Sequence, residues 1–239
     1  MAFEGKVAVI TGASRGIGAS LIGGFRQLGY GVVANSRAIG KADMPKDPAV
    51  VLVEGDIALP ETAERIVSAA IERFGRIDTL VNNAGIFIPK PFVDYTEADF
   101  TAMVAVNLAG FFHISQKVIP GMLGAGSGHI VTITATIAEQ PTTSLPAALA
   151  SLTKVGLNAV TRALAIEYAG RGIRVNAVSP GAVKTPMHTP QTHGFLATLQ
   201  PMGRMGEVQE IRDAVLYLEK AAFVTGEILH VDGGQSAGH

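Results

Sequence analysis

Apolar positions follow two alternating patterns along the chain. Residues 6–10 (KVAVI) form a near-continuous apolar run, as a strand buried on both faces requires. The runs 31–35 (GVVAN), 50–53 (VVLV), 78–81 (DTLV), 129–133 (HIVTI), 173–178 (IRVNAV) and 227–231 (EILHV) repeat the pattern. Between them, helical spacing predicts helices over 17–28, 61–74, 97–116, 147–169 and 207–218. In the second of these, Ile66, Ala70 and Phe74 recur one turn apart and define an amphipathic face. Strands alternating with helices in this way predict an α/β fold. It is a single Rossmann-type doubly wound parallel sheet of seven strands, with helices on both faces. No low-complexity linker or repeat interrupts the order, so residues 1–239 read as one domain. The stretch 36–49 carries Pro45 and Pro48 and reads as a loop where such folds often place a helix. The stretch 185–206, with Pro186, Pro190 and Pro201, is the least regular long segment and reads as a substrate lid.

Composition narrows the function. Hydrophobic residues make up 48% and charged residues 16%, enough apolar material to cover both faces of a sheet. A net charge of −1 gives no basic face for nucleic acid or an anionic membrane. The chain has no cysteine, which excludes disulfides, zinc-thiolate sites and thiol catalysis. The first residues, MAFEGKVAVITG, lack the layout of a secretory signal, and no apolar run approaches ~18 uninterrupted residues. The expectation is a cytoplasmic protein.

The first run leads directly into 11–18 (TGASRGIG) and then a helix. Glycines at a strand-to-helix turn permit positive φ and a close approach of backbone to phosphate. The helix N-terminus adds free N–H groups and a positive dipole end. Gly12, Ser14, Arg15, Gly16, Ile17 and Gly18 are therefore candidate dinucleotide ligands, because the glycines stand in the strand–turn–helix context that the motif needs. The second run ends at Asn35-Ser36-Arg37, with no acid to take the ribose hydroxyls of NAD. Arg37 beside Ser36 offers a guanidinium fork for a 2′-phosphate, and Arg15 a second cation, so NADP(H) is favoured over NAD(H). Asp56 and Ile57, just after the third run, are placed to meet the adenine. The plainer readings are a solvated arginine and a turn-forming aspartate.

Taken in order, TGASRGIG, Asp56, Asn82-Asn83-Ala84-Gly85, Asn107, Lys154 and Ser179-Pro180-Gly181 resemble the short-chain dehydrogenase/reductase family over essentially the whole chain. The resemblance implies a homotetramer acting on a small molecule. It also implies that Asn83, Ala84 and Gly85 line the cofactor, that Pro180, Gly181, Val183 and Thr185 border the nicotinamide, and that Lys154 holds its ribose. Lys154 stands among Leu152, Val155 and Leu157, so its charge needs a partner, a depressed pKa or a route to the surface.

The family's catalytic pattern is Tyr-x-x-x-Lys, with a Ser just after the fifth strand. Here Ala150 and Ala135 stand at those two positions, which makes the chain an atypical member; Asn107 and Lys154 remain. Thr134 and Thr136 flank Ala135 and are candidates to orient a carbonyl, although an alcohol is a poor general acid. Tyr95, His188, His193, Lys154, water and a substrate group are the candidate proton donors. The segment from Thr134 to Lys154 carries Pro141 and Pro146 and is slightly longer than the family's common spacing, so it is remodelled as well as substituted. No metal-ligand spacing occurs. Two functions stay open ahead of a third, a lyase or isomerase that uses the fold without net redox. One is an NADP(H)-dependent oxidoreductase that reduces a carbonyl or oxidises a secondary alcohol by hydride transfer, with a non-standard proton donor. The other is a nicotinamide-cofactor-binding protein without dehydrogenase turnover, a sensor or partner subunit. In the lid, Met187, Phe195, Leu196 and Leu199 suit a partly apolar compound.

Overall fold

Each predicted apolar run forms a strand in the computed structural model, which describes residues 3–41 and 47–238. The strands are β1 (Val7–Thr11), β2 (Gly31–Ser36), β3 (Val50–Glu54), β4 (Thr79–Asn82), β5 (Gly128–Ile133), β6 (Ile173–Pro180) and β7 (Ile228–Val231). They form one seven-stranded sheet in the order β3-β2-β1-β4-β5-β6-β7, parallel throughout. The winding reverses between β1 and β4, the switch point at which open α/β sheets form a ligand crevice.

Alternation along β1 shows why the fold needs helices on both faces. Val7 and Val9 pack with Ala63, Ile66 and Ala70 of α2 (Pro60–Phe74) and with Ile114 and Val118 of α4 (Gly110–Ala125). Ala8 and Ile10 pack on the other side, with Leu21 and Phe25 of α1 (Gly16–Gln27) and Ile211, Val215 and Leu218 of α7 (Val208–Lys220). Helix α2 starts on Pro60 and stops at Gly75, whose φ of 79° is the left-handed cap.

The predicted helix over 97–116 is longer and less regular. A capping box between Thr96 and Asp99 starts α3 (Glu97–Met103). A π-helical stretch, Val104–Ala109, then joins it to α4, giving a continuous run Glu97–Ala125. Pro120 lies inside α4 and forfeits a backbone donor, while buried Val118, Ile119 and Met122 hold the turn in place. By length and composition this run would cross a membrane; here its apolar face packs on the sheet. Helix α5 (Ala148–Tyr168) matches its predicted span closely. The irregular stretch 185–206 contains a short helix, α6 (His193–Thr198), too brief to leave a periodic signature. Within the expected loop 36–49, Ile39–Lys41 form a single helical turn, and residues 42–46 lie outside the described residues.

The amino ends of the strands carry a buried polar network. Glu219 accepts hydrogen bonds from His129 Nδ1 (2.7 Å), Tyr30 Oη (2.7 Å) and Thr79 Oγ1 (3.0 Å). His129 Nε2 accepts from Asn176 Nδ2 at 3.1 Å, which fits a neutral imidazole carrying its proton on Nδ1. Burial pushes His129 below the usual histidine range. Burial alone would raise the Glu219 carboxyl, but its hydrogen bonds from His129, Tyr30 and Thr79 outweigh that and hold it below the usual carboxylate range.

Candidate functional site

The site lies at the opposite, carboxyl ends of the strands, on a turn that only glycine can make. Gly12 (φ 66°) and Gly16 (φ 57°) are both left-handed. A Cβ on Gly12 would come within 2.8 Å of Ala84 Cα. The turn is tied to the end of β4: Asn83 Nδ2 donates to the carbonyls of Thr11 (2.9 Å) and Gly12 (3.1 Å). The Thr11 hydroxyl accepts from the backbone N–H of Asn83 (3.1 Å) and Ala84 (3.0 Å). Arg15, the residue capping α1, is extended and makes no side-chain cap, and the helix's first turn holds no acid. The first-turn amides and the positive dipole end thus meet the cavity at Gly16 and Ile17, a cradle fitted to an anionic diphosphate.

A cavity of about 320 Å³ runs from this cradle across the sheet edge. It is lined by Gly12, Ser14, Arg15, Gly16, Ile17, Ser36, Arg37, Asp56, Ile57, Asn83, Ala84, Gly85, Lys154, Pro180, Gly181, Val183 and Thr185. Every residue assigned to the cofactor from sequence lines it except Gly18. A Cβ on Gly18 would fall 2.3 Å from the Gly12 carbonyl oxygen, so this glycine seats α1 against the turn instead. Arg37 is exposed on the turn after β2, and among the described residues neither Arg15 nor Arg37 has an ion-pair partner. Buried Asn35 binds the ends of β2 and β3 together through Val53 O (2.9 Å) and Gly55 O (3.1 Å). Asp56 accepts from Ala58 N through one carboxylate oxygen, at 3.0 Å.

At the other end stand Asn107 and Lys154. Asn107 lies within the π-helical stretch, a local unwinding that re-aims side chains in many sites. Its Oδ1 accepts from Ile86 N (2.9 Å), and its Nδ2 donates to Ile86 O (3.0 Å) and Thr153 Oγ1 (3.1 Å). Lys154 is buried and donates from Nζ to Ile133 O at 3.0 Å. Gly85 leaves room for it, since a Cβ there would sit 2.9 Å from Nζ. Burial with no carboxylate beside it brings the Lys154 ammonium down to about 8. Lys154 also borders a smaller void of about 10 Å³, roughly the size that admits one water. Asn107 and Thr132 line the same void, and the buried Thr132 hydroxyl has no partner among the described residues.

Around this centre the structure sorts the other candidates. Thr134 lines the cavity, with its hydroxyl 3.4 Å from Val178 O. Thr136 does not: it is fully buried, and its hydroxyl faces Asp232 Oδ2 (3.1 Å) and Ser179 O (3.2 Å), so the expectation that it orients a substrate carbonyl is corrected. Tyr95 is spent on Ile88 O (2.7 Å) and lies off the cavity, as does His193. His188 lines the cavity; burial, with His193 nearby, pushes its imidazole below the usual range, so it is neutral near pH 7. Ala135 lines the cavity, whereas Ala150 is fully buried with Met103, Ala147 and Leu149. Ile86, Phe87, Ile88, Tyr95 and Ile137 pack onto that cluster. Sequence reasoning missed Ile86, Phe87, Ile137, Leu145 and Gln235, which reach the cavity from loops with no motif of their own.

The combination of switch-point cradle, Asn83–Gly85 wall and Asn107–Lys154 pair is that of a dinucleotide-dependent oxidoreductase site on a doubly wound sheet. Residues 12–236 match the sequence family described as enoyl-(acyl carrier protein) reductase. A 3-oxoacyl-[acyl-carrier-protein] reductase FabG of Thermotoga maritima is 36% identical, over 98% of this chain and 99% of its own. A glucose 1-dehydrogenase of Gluconobacter oxydans is also 36% identical, over 97% of this chain and 92% of its own. Among solved structures, a 3-ketoacyl-(acyl-carrier-protein) reductase from Brucella melitensis complexed with NADH superimposes with a TM-score of 0.90 at 34% identity, covering 98% of this chain and 100% of that one. ElxO with NADP bound gives 0.91 at 26% identity, covering 98% and 100%. The chain belongs to the short-chain dehydrogenase/reductase family of oxidoreductases.

Proposed function

We propose that this protein is an NADP(H)-dependent oxidoreductase that interconverts a carbonyl and a secondary alcohol, with Lys154 as the proton donor in place of the family's tyrosine. The carrying observation is Lys154 itself: buried, lining the cavity, bonded among the described residues only to Ile133 O, and brought by that burial down to about 8. An acid of that strength is charged at pH 7 and still gives up its proton readily. His188, held neutral at pH 7, is the poorer acid. The bound nicotinamide supplies or accepts the hydride. Lys154 gives its Nζ proton to the forming alkoxide and is reprotonated through the void lined by Asn107 and the Thr132 hydroxyl. Asn107, fixed by Ile86 and Thr153, keeps that path open. Arg37 and Arg15 meet the 2′-phosphate, and the absence of an acid at 35–37 disfavours NAD(H).

In this reading residues 1–239 act as one domain, with 185–206 as a lid that brings Met187, His188, Leu196 and Leu199 to the cavity. The assembly is a cytoplasmic homotetramer, in which exposed Phe112 of α4 and Leu152 and Ile166 of α5 are covered by other copies. A second reading, cofactor binding without turnover, is favoured by Ala135 and Ala150 standing where a hydroxyl and a phenol are usual. Fluorescence titration with NADPH and NADH, followed by absorbance assays on a carbonyl panel, separates the two. Binding of neither cofactor overturns both readings, and tight binding without turnover establishes the second. Arg37→Asp is expected to lower the NADPH-to-NADH affinity ratio at least tenfold; an unmoved ratio removes the 2′-phosphate assignment.

A further inference from the structure

Among the described residues of the carboxyl-terminal segment, Gln235 is the one long polar side chain that reaches the cavity. It is 4% exposed and lines the cavity, and its side chain makes no hydrogen bond among the described residues. An amide that is buried in the chain, lines a cavity and has no protein partner is free to bond a ligand group there.

Its position is held from an unexpected direction. Asp232, at the end of β7, accepts from Gly234 N (3.0 Å), Ser236 N (2.8 Å) and Thr136 Oγ1 (3.1 Å). The Asp232 carbonyl accepts from Gln235 N at 3.3 Å. Thr136 is the neighbour of Ala135. The segment that carries Gln235 is therefore bolted to the corner of the cavity from which a serine hydroxyl is missing. The two threonine hydroxyls of that corner are turned to Val178 O and to Asp232, which leaves the corner's neutral donor to Gln235.

We propose that Gln235 stands in for the missing hydroxyl at position 135, its side-chain amide donating to the substrate's carbonyl oxygen. The inference rests on the carbonyl-reductase reading above. In the reduction, hydride from the nicotinamide forms the new C–H bond, the C=O π pair becomes the O–H bond with the Lys154 proton, and Gln235 transfers nothing. A neutral amide aimed at the oxygen stabilises the charge that develops there. Of the other side chains that line the cavity, Ile86, Phe87, Ile137, Leu145, Leu196 and Leu199 are apolar, and His188 is neutral near pH 7. The substrate is thus an uncharged ketone with apolar flanks, or the matching alcohol.

The test uses the full chain with NADPH and acetophenone, cyclohexanone and 2-octanone as probes. For Gln235→Leu we expect kcat/KM to fall on the order of a hundredfold, with NADPH affinity within threefold of the parent. Adding Ala135→Ser to that variant is expected to recover at least tenfold. An unchanged kcat/KM in Gln235→Leu overturns the proposal while leaving the reductase reading intact. Calorimetric ketone binding to the NADP⁺ complex keeps the two separable: even without turnover, Gln235→Leu must weaken ketone binding about tenfold. Equal affinity, or a parent that binds none of the three probes, overturns the proposal. If the leucine variant does not fold, Gln235→Glu, which keeps the shape and replaces the donor by an acceptor, is read in the same assays with the same expectation.

Discussion

Two glycine-to-alanine substitutions on one helix are expected to act in opposite directions. In Gly18→Ala the new Cβ falls 2.3 Å from the Gly12 carbonyl oxygen, 2.6 Å from Asn83 Nδ2 and 2.9 Å from Ala13 Cα. Ordinary contact needs roughly 1 Å more, and the opposing atoms are largely backbone. Either α1 backs away or the turn at Gly12 moves. Overpacking of this kind costs about 1–3 kcal/mol, and each kcal/mol lowers Tm by about 2–4 °C in a chain of this size. The displaced atoms belong to the diphosphate cradle, so NADPH Kd is expected to rise at least tenfold, about 1.4 kcal/mol. Gly23→Ala, on the same helix, meets nothing within 4 Å. There the substitution is expected to stabilise by about 0.5–1 kcal/mol through helix propensity and leave Kd unchanged. Thermal melts and fluorescence titration of the two variants check both halves. A Gly18→Ala protein that melts at the parent temperature and binds NADPH with parent affinity would refute the packing argument.

Three further outcomes follow from the geometry. Carbonyl reduction needs the charged Lys154, so its rate is expected to fall as pH rises through about 8 while alcohol oxidation rises; Lys154→Met should cut turnover about 10²–10⁴-fold, checked by steady-state pH profiles. Hydrogen bonds hold the Glu219 carboxyl below the ordinary carboxylate range, so the stability it contributes is present above pH 4.5 and lost as pH falls below that value. Glu219→Gln is expected to lower Tm at pH 7 and flatten the loss of Tm between pH 5 and 2.5, read by calorimetry. Ala150→Tyr should not restore a family-type site: position 150 is fully buried in an apolar cluster onto which Ile86, Phe87 and Ile137 pack, so the phenol overpacks that cluster and costs about 1–3 kcal/mol with no gain in turnover.

The sheet was legible in the sequence because a doubly covered parallel sheet demands unbroken apolar runs, and seven such runs stand out. The cradle was legible because Gly12 and Gly16 serve a backbone geometry that few other residues reach. What stayed hidden was decided by distant chain. Thr136 looked like a substrate contact until Asp232, just after the last strand, took its hydroxyl. Gln235 gave no local signal, since its place at the cavity depends on β7 pairing with β6. The π-helical stretch around Asn107 was invisible because its residues keep the apolar spacing of an ordinary helix. At Ala150 the lost tyrosine could be read, but not that the position is fully buried in an apolar cluster.

The uncapped start of α1 has a consequence for how the protein is handled. A helix without a side-chain cap forgoes about 0.5–2 kcal/mol that Ser, Thr, Asp or Asn at that position would contribute. The diphosphate is the molecule's own finishing piece for that helix. Ligand at a hundred times its Kd adds about 2.7 kcal/mol to folding, so preparations with and without cofactor are expected to differ in shelf life and protease resistance as much as in activity. A mutation that caps the helix from within would harden the empty protein while competing with the ligand for the same amides, placing durability and affinity in opposition at a single residue, Arg15.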